Sequence, residues 1–341
     1  MSKVFTNSDV SNKIFKYFSE KYGQMVAPVG LLKVLATLSP FVNNDLPNLN
    51  ILHVAPSRQF KTQLSREARD IVGKGKWIDL GIDVTMNSIL ERFRKGETAN
   101  LGRKALFLDD LAILLTSKTY KAKERLIGGL TALLSDGVWS YGERNKPFLV
   151  LEGKVSLIAN LTLEKYERNK NTLFSSTFHE RFLTVFYSLP ETEINSWLDH
   201  KDEKLSIKWN EPKISIKPRE IENWNEYKKT IIDYAERFSV LSLKSKSGQF
   251  DLICALLKTH ANLNNRNYLC EDDFNLLKKI EPYLVDPLAP NESKIVRFYK
   301  EGHGIVDILK LLGKPASYRD YVERVLRKAK ERGIIGGGLQ W

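Results

Sequence analysis

The stretch Ile51-Leu52-His53-Val54-Ala55-Pro56-Ser57-Arg58-Gln59-Phe60-Lys61-Thr62 decides how the rest of the chain is read. Ile51 to Val54 is a short apolar strand, a loop of turn formers follows, and Lys61-Thr62 opens a helix. That order is the layout of a phosphate-binding loop, G-x-x-x-x-G-K-[ST]. Ala55 and Phe60 stand at the two glycine positions, while Lys61 and Thr62 keep their places. A lysine there reaches the β- and γ-phosphates, the adjacent hydroxyl ligates Mg²⁺, and helix N–H groups face the anion. Glycines serve backbone conformation and close approach, so their loss leaves the charged groups in place. Ala55, Pro56, Ser57, Arg58, Gln59, Phe60, Lys61 and Thr62 are therefore the candidate nucleotide-binding segment. Taken alone, the stretch also reads as an ordinary loop-to-helix junction.

Three later stretches bear on the first. Lys104-Ala105-Leu106-Phe107-Leu108-Asp109-Asp110 has four apolar residues followed by two acids, the pattern of a buried parallel strand ending at a site. In phosphate-loop ATPases the first acid holds Mg²⁺ and the second polarises the attacking water, which makes Asp109 a metal ligand with Thr62 and Asp110 the base. The second acid is most often Glu, one methylene longer. Acids at the N-terminus of the next helix are the alternative reading. Lys154 to Thr162 is a further core strand with polar groups at its end, where Asn160 or Thr162 would orient water or cap the next helix. Thr177 to Phe186 runs from a short helix into a strand, and Arg181 within it is the candidate for a charge offered to a neighbour's nucleotide.

Composition fits a polyanion partner. The chain of 341 residues carries 53 Lys and Arg against 41 Asp and Glu, a net charge of +12. Nucleic acid leads, and ATP would be a second polyanion. A Lys-rich soluble surface is the bland alternative. No apolar run reaches the length of a membrane span, and Met1 to Phe15 lacks a signal peptide's apolar core, so a cytoplasmic location is expected. Two cysteines and five histidines form no zinc pattern, and Cys254 in an apolar run reads as a core residue.

The remaining segments divide the chain into four regions. Residues 1–46 read as helical, with Val29 to Ala36 buried and Pro40 breaking the pattern. Residues 47–195 form an α/β core. Within it, Asp83 to Arg94 starts as a helix, and 138–151 reads as a β-hairpin whose charged tip carries Arg144 and Lys146. Residues 196–288 are a polar linker followed by helices at 224–238, 249–263 and 271–285. Residues 289–341 carry three helices, the last with Arg319, Arg324, Arg327 and Lys328. Helix, turn, then a basic helix followed by Gly-Ile-Ile-Gly-Gly-Gly is the layout of a helix-turn-helix or winged-helix DNA reader. A winged helix that docks on protein is the alternative.

The order of these stretches resembles an AAA+ ATPase, and 49–285 looks closest to plasmid- and virus-type relatives of the minichromosome maintenance (MCM) helicases. His179-Glu180-Arg181-Phe182-Leu183-Thr184-Val185-Phe186 resembles that family's S-R-F-D-L-I-F motif, which implies that Arg181 is an arginine finger acting on the adjacent subunit. Ile158-Ala159-Asn160 resembles its A-A-N strand end, which implicates Asn160 as the residue aligning water. The hairpin falls where the family grips DNA in a central pore. Gly248-Gln249-Phe250-Asp251 resembles the start of its lid helix, but with glycine where that helix carries an arginine; only Lys244 or Lys246 stands near. The resemblance implies a Mg²⁺-dependent ATPase, replicative or helicase-like, working as a homo-oligomeric, hexameric ring on DNA. A degenerate DNA-binding scaffold, regulator or loader is the competing expectation.

Overall fold

The computed structural model describes residues 9–43, 47–81, 94–95, 98–115, 120–142, 149–175, 177–287, 290–331 and 334–335. Two helices, α1 (Asp9–Tyr22) and α2 (Ala27–Val42), precede the sheet. Almost every residue of α2 is buried, as expected for a helix that is apolar on all sides. It runs two residues beyond Pro40, where the sequence predicts a break. Proline deprives the carbonyl of residue 36 of its helical donor, and Ser156 Oγ supplies the replacement, bonding Ala36 O at 2.7 Å.

The chain continues through β1 (Ile51–Ala55), α3 (Lys61–Val72), β2 (Trp77–Asp79), β3 (Arg94–Lys95), β4 (Thr98–Leu108), the short α4 (Ala112–Leu115), α5 (Tyr120–Asp136), β5 (Val138–Tyr141), β6 (Leu149–Thr162), α6 (Leu163–Ser175) and β7 (Leu183–Phe186). The strand order is β2-β4-β6-β1-β7, all parallel, with β3 and β5 added antiparallel to extensions of β4 and β6. The hairpin of β5 and β6 lies where the sequence places it, but its second strand runs unbroken into the core strand. Arg94 and Lys95 are extended rather than helical, because they pair with Ala99 and Thr98. The rest of the helix expected from Asp83 lies outside the described residues.

Alternate side chains of the strands enter two cores. Ile51, Ala55, Phe107, Ile158 and Val185 face α1, α2 and α3. Leu52, Val54, Leu106, Leu108, Leu157 and Leu161 face α4, α5 and α6. The first core extends without interruption through the N-terminal helices and the later helical region, from Ile14 to Leu284. The sheet is thus sandwiched between helical layers, as the α/β reading requires.

Residues 191–195, placed by the sequence at the end of the α/β core, and 196–206, placed in the polar linker, form α7 (Glu191–Asp199) and α8 (Lys201–Ser206). They are mostly exposed and polar, which hides their helical period, but Trp197 is half-buried against the core. The helices α9 (Trp224–Ser242), α10 (Lys246–Leu263) and α11 (Glu271–Ile280) follow. The last three, α12 (Pro290–Lys300), α13 (Ile305–Leu311) and α14 (Arg319–Glu331), share a separate small core with Val240 and Leu243 at the end of α9. Among the described residues no helix is long and apolar enough to cross a membrane.

The α1–α2 contact sets how closely the N-terminal helices sit. A Cβ added at Gly30 would stand 2.4 Å from Cγ of the fully buried Phe18. Gly30→Ala is therefore expected to destabilise the chain by about 1–3 kcal/mol despite alanine's better helix propensity, read as a lower urea midpoint. A raised midpoint would show that this packing yields.

Candidate functional site

The carboxyl ends of β1, β4 and β6 lie together. Ala55 is level with Thr162, and Leu108 with Ala159. The loop 56–60, the acids Asp109 and Asp110, and Asn160 therefore share one edge of the sheet. In open α/β sheets that edge, beside the strand where connections diverge, is where ligands bind.

The loop keeps a glycine-like path without glycine. Arg58 and Phe60 both lie in the left-handed region, at φ 61° and 58°. Such a conformation costs an ordinary residue about 1–2 kcal/mol. For Phe60 the cost is offset by burial: its ring packs 5.1 Å from that of Tyr22 and 4.8 Å from that of Trp197. The loop is tied on its other side by residues following β7. Tyr187 Oη donates to Gln59 O, and Leu189 N donates to Gln59 Oε1 at 2.9 Å. Ser57 and Arg58 are exposed, and Pro56, Lys61 and Thr62 partly so.

Lys61 turns back on the loop, donating to Ala55 O at 2.8 Å and to Pro56 O. Burial pulls its ammonium down to about 8, against the opposing pull of Asp110. Asp110 itself is held by the Lys165 ammonium and accepts from Ala112 N at 3.1 Å. Asp109 is half-buried, which raises its carboxyl above the usual range although Arg69 and Lys33 oppose the rise. Asn160 Nδ2 donates to Asp109 Oδ1 at 3.3 Å and to Ser65 Oγ at 3.1 Å. Asn160 is 1% exposed and its amide is fully engaged, so it holds Asp109 rather than facing solvent.

Lys33 completes this cluster, and the sequence reading passed over it. From the middle of α2 its buried Nζ donates to Lys61 O at 2.8 Å, Ser65 Oγ at 2.9 Å and Asn160 Oδ1 at 2.8 Å. Burial far from any contacting carboxylate drives its affinity for a proton well down, with Asp109 opposing and Lys61 adding to the fall. The available signal was a lone lysine within the apolar run Val29 to Ala36, since an unpaired charge is rarely placed on a buried helix face. Lys165 and Trp197 gave no comparable signal.

Arg181 lies at the opposite edge. Its carbonyl accepts from Asn50 Nδ2 at 2.9 Å, just ahead of β1, and it precedes β7. It does not join Lys61 within one chain. Asp251 on α10 faces it electrostatically. The two lysines near the start of α10 are otherwise engaged. Lys244 Nζ is buried against His179 O at 2.8 Å, Phe182 O and Thr184 Oγ1 at 2.8 Å, and Lys246 pairs with Glu236 at 3.1 Å. Neither stands in for the arginine that Gly248 replaces.

Of the residues proposed to touch DNA, Arg144 and Lys146 lie outside the described residues. Arg319, Arg324, Arg327 and Lys328 all sit on the exposed side of α14, with Arg319 bonded to Glu323 at 2.7 Å. Val322, Val325, Leu326 and Ala329 form its buried side.

No protein-family model matches the chain, and no curated protein matches it in sequence.

Phe60 offers a test of the loop. Phe60→Ala is expected to cost about 3 kcal/mol through lost packing. Phe60→Gly should cost less by about 1 kcal/mol, because glycine accepts the left-handed conformation. Urea midpoints in the reverse order would show that the loop does not hold this path.

Proposed function

We propose that the chain is an ATPase of the AAA+ type, related to MCM helicases, that works on DNA as an oligomeric ring. The observation that carries this reading is the loop between β1 and α3. It holds left-handed turns at Arg58 and Phe60 without glycine and delivers Lys61 to the start of a helix, at the sheet edge where two acids follow the single strand β4. At Arg58, where no hydrogen bond or ion pair among the described residues offsets the strain, that backbone path supports a ligand at the loop. Basic charge and a helix N-terminus make that ligand a polyphosphate.

The residues present suit Mg²⁺. Thr62 and Asp109 offer one hydroxyl and one carboxylate, and Mg²⁺ binds through few protein oxygens while keeping waters and substrate phosphates. Once bound, it would neutralise charge on the phosphates. Lys61 leaves the carbonyls of Ala55 and Pro56 to meet the β- and γ-phosphates. Asp110 releases Lys165 to accept a proton from the attacking water. Asn160 fixes the orientation of Asp109, and Lys33 fixes that of Asn160. Arg181 stands too far round the sheet to reach its own chain's nucleotide, which supports action on the adjacent protomer.

The DNA contacts are assigned to the hairpin tip with Arg144 and Lys146 and to the exposed basic side of α14. On this reading α13 and α14 form a helix-turn-helix. The engagement of both Lys61 and Asp110 by the chain itself favours a second reading, in which a catalytically silent AAA+ fold serves as DNA-binding scaffold or loader.

ATP turnover with and without single-stranded and duplex DNA separates the two. The ATPase reading expects turnover that rises with DNA and with protein concentration. Lys61→Ala should lower it by about a hundredfold or more, and Arg181→Ala by about a thousandfold. Turnover unchanged in Lys61→Ala would remove the phosphate-loop assignment. Absent turnover with DNA binding intact in both proteins would favour the scaffold.

A further inference from the structure

A terminal phosphate needs positive charge beyond Lys61, and the lid does not offer it. Gly248 has no side chain, Lys244 is buried against backbone carbonyls, and Lys246 pairs with Glu236. On the sheet edge, Lys165 is taken by Asp110, and all three Lys33 donors have acceptors.

Arg58 differs from all of these. It is exposed, three residues ahead of Lys61 in the loop, and makes no hydrogen bond or ion pair among the described residues. It also holds φ 61°, a conformation that glycine would adopt without strain. Phe60 shares that conformation, but its ring is anchored by Tyr22 and Trp197. Nothing within the described chain compensates Arg58. A strained, unpaired guanidinium beside an anion-binding helix end is a group whose partner arrives from outside.

We propose that Arg58 distinguishes nucleoside triphosphate from diphosphate at this site, its guanidinium engaging the terminal phosphate. The inference rests on the nucleotide reading given above. The planar fork of arginine suits two oxygens of a phosphate.

Arg58→Gly is the informative variant, because glycine keeps the left-handed turn and removes only the side chain. Calorimetric titration of the full chain would use the Mg²⁺ complexes of ADP and of the β,γ-imido analogue of ATP. Wild type should prefer the analogue. Arg58→Gly should weaken the analogue by about ten- to a hundredfold and leave ADP unchanged. A preserved preference, or an equal loss for both nucleotides, would overturn the assignment. Lys61→Ala identifies which idea has failed. If it weakens both nucleotides while Arg58→Gly affects neither, the phosphate loop stands and Arg58 falls. If wild type binds neither nucleotide, or Lys61→Ala binds both as wild type does, the nucleotide reading fails and the role of Arg58 fails with it.

Discussion

Lys33 joins three elements that the chain order keeps apart. One amine on α2 bonds the first carbonyl of α3, a serine one turn further along it, and the amide that ends in the strand beside β1. A buried amine without a contacting carboxylate is expensive to desolvate, and it persists only where neighbouring acceptors leave it no better arrangement. Here those acceptors are the groups that aim Lys61 and Asp109. The helix that carries Lys33 is itself fixed by Phe18 over Gly30 and by Ser156 at the Pro40 break. The N-terminal helices are therefore part of the site's support, not a preface to it.

The sheet edge was legible because parallel buried strands leave a plain trace: an apolar run that ends abruptly in polar groups. Ile51 to Ala55, Ala105 to Asp110 and Val155 to Asn160 all carry it, and all three ends meet in space. What was not legible depends on long-range contacts. The polar run from Glu191 looks like linker, because α7 meets the core through little more than Trp197, whose partner Phe60 is far away in sequence. The passage of α2 through Pro40 depends on a serine in another strand. Lys33 was visible as a charge in an apolar run, but its acceptors come from two other elements, and no local pattern names them.

The glycine-free loop shows how one conformation can be reached by different means. Phe60 is held left-handed from outside by aromatic packing, so the backbone geometry is a property of the tertiary structure rather than of local preference. This changes what the missing glycines signify. Of the two glycine positions, Ala55 is ordinary strand and Phe60 alone keeps a left-handed turn. Arg58, at neither glycine position, is a second left-handed residue in the same loop, with no hydrogen bond or ion pair among the described residues.

The opposite edge is built with comparable care around Arg181. Burial alone would raise the Glu180 carboxyl, but bonds from His179 and Ser245, with Lys244 nearby, bring it down to about 2. Burial lowers the Lys244 ammonium to about 7 while Glu180 resists the fall. The short helix 179–181 is thereby latched to the beginning of α10 through Ser245 and Lys244, and Arg181 travels with that latch. The start of α10 and the turn carrying Arg181 are therefore held as one unit. Under the proposed reading, closure of one protomer's lid would shift the guanidinium presented to its neighbour. Under that reading the bonds from Ser245 to Glu180 and from Lys244 to His179 would carry such a shift to the residue beside them.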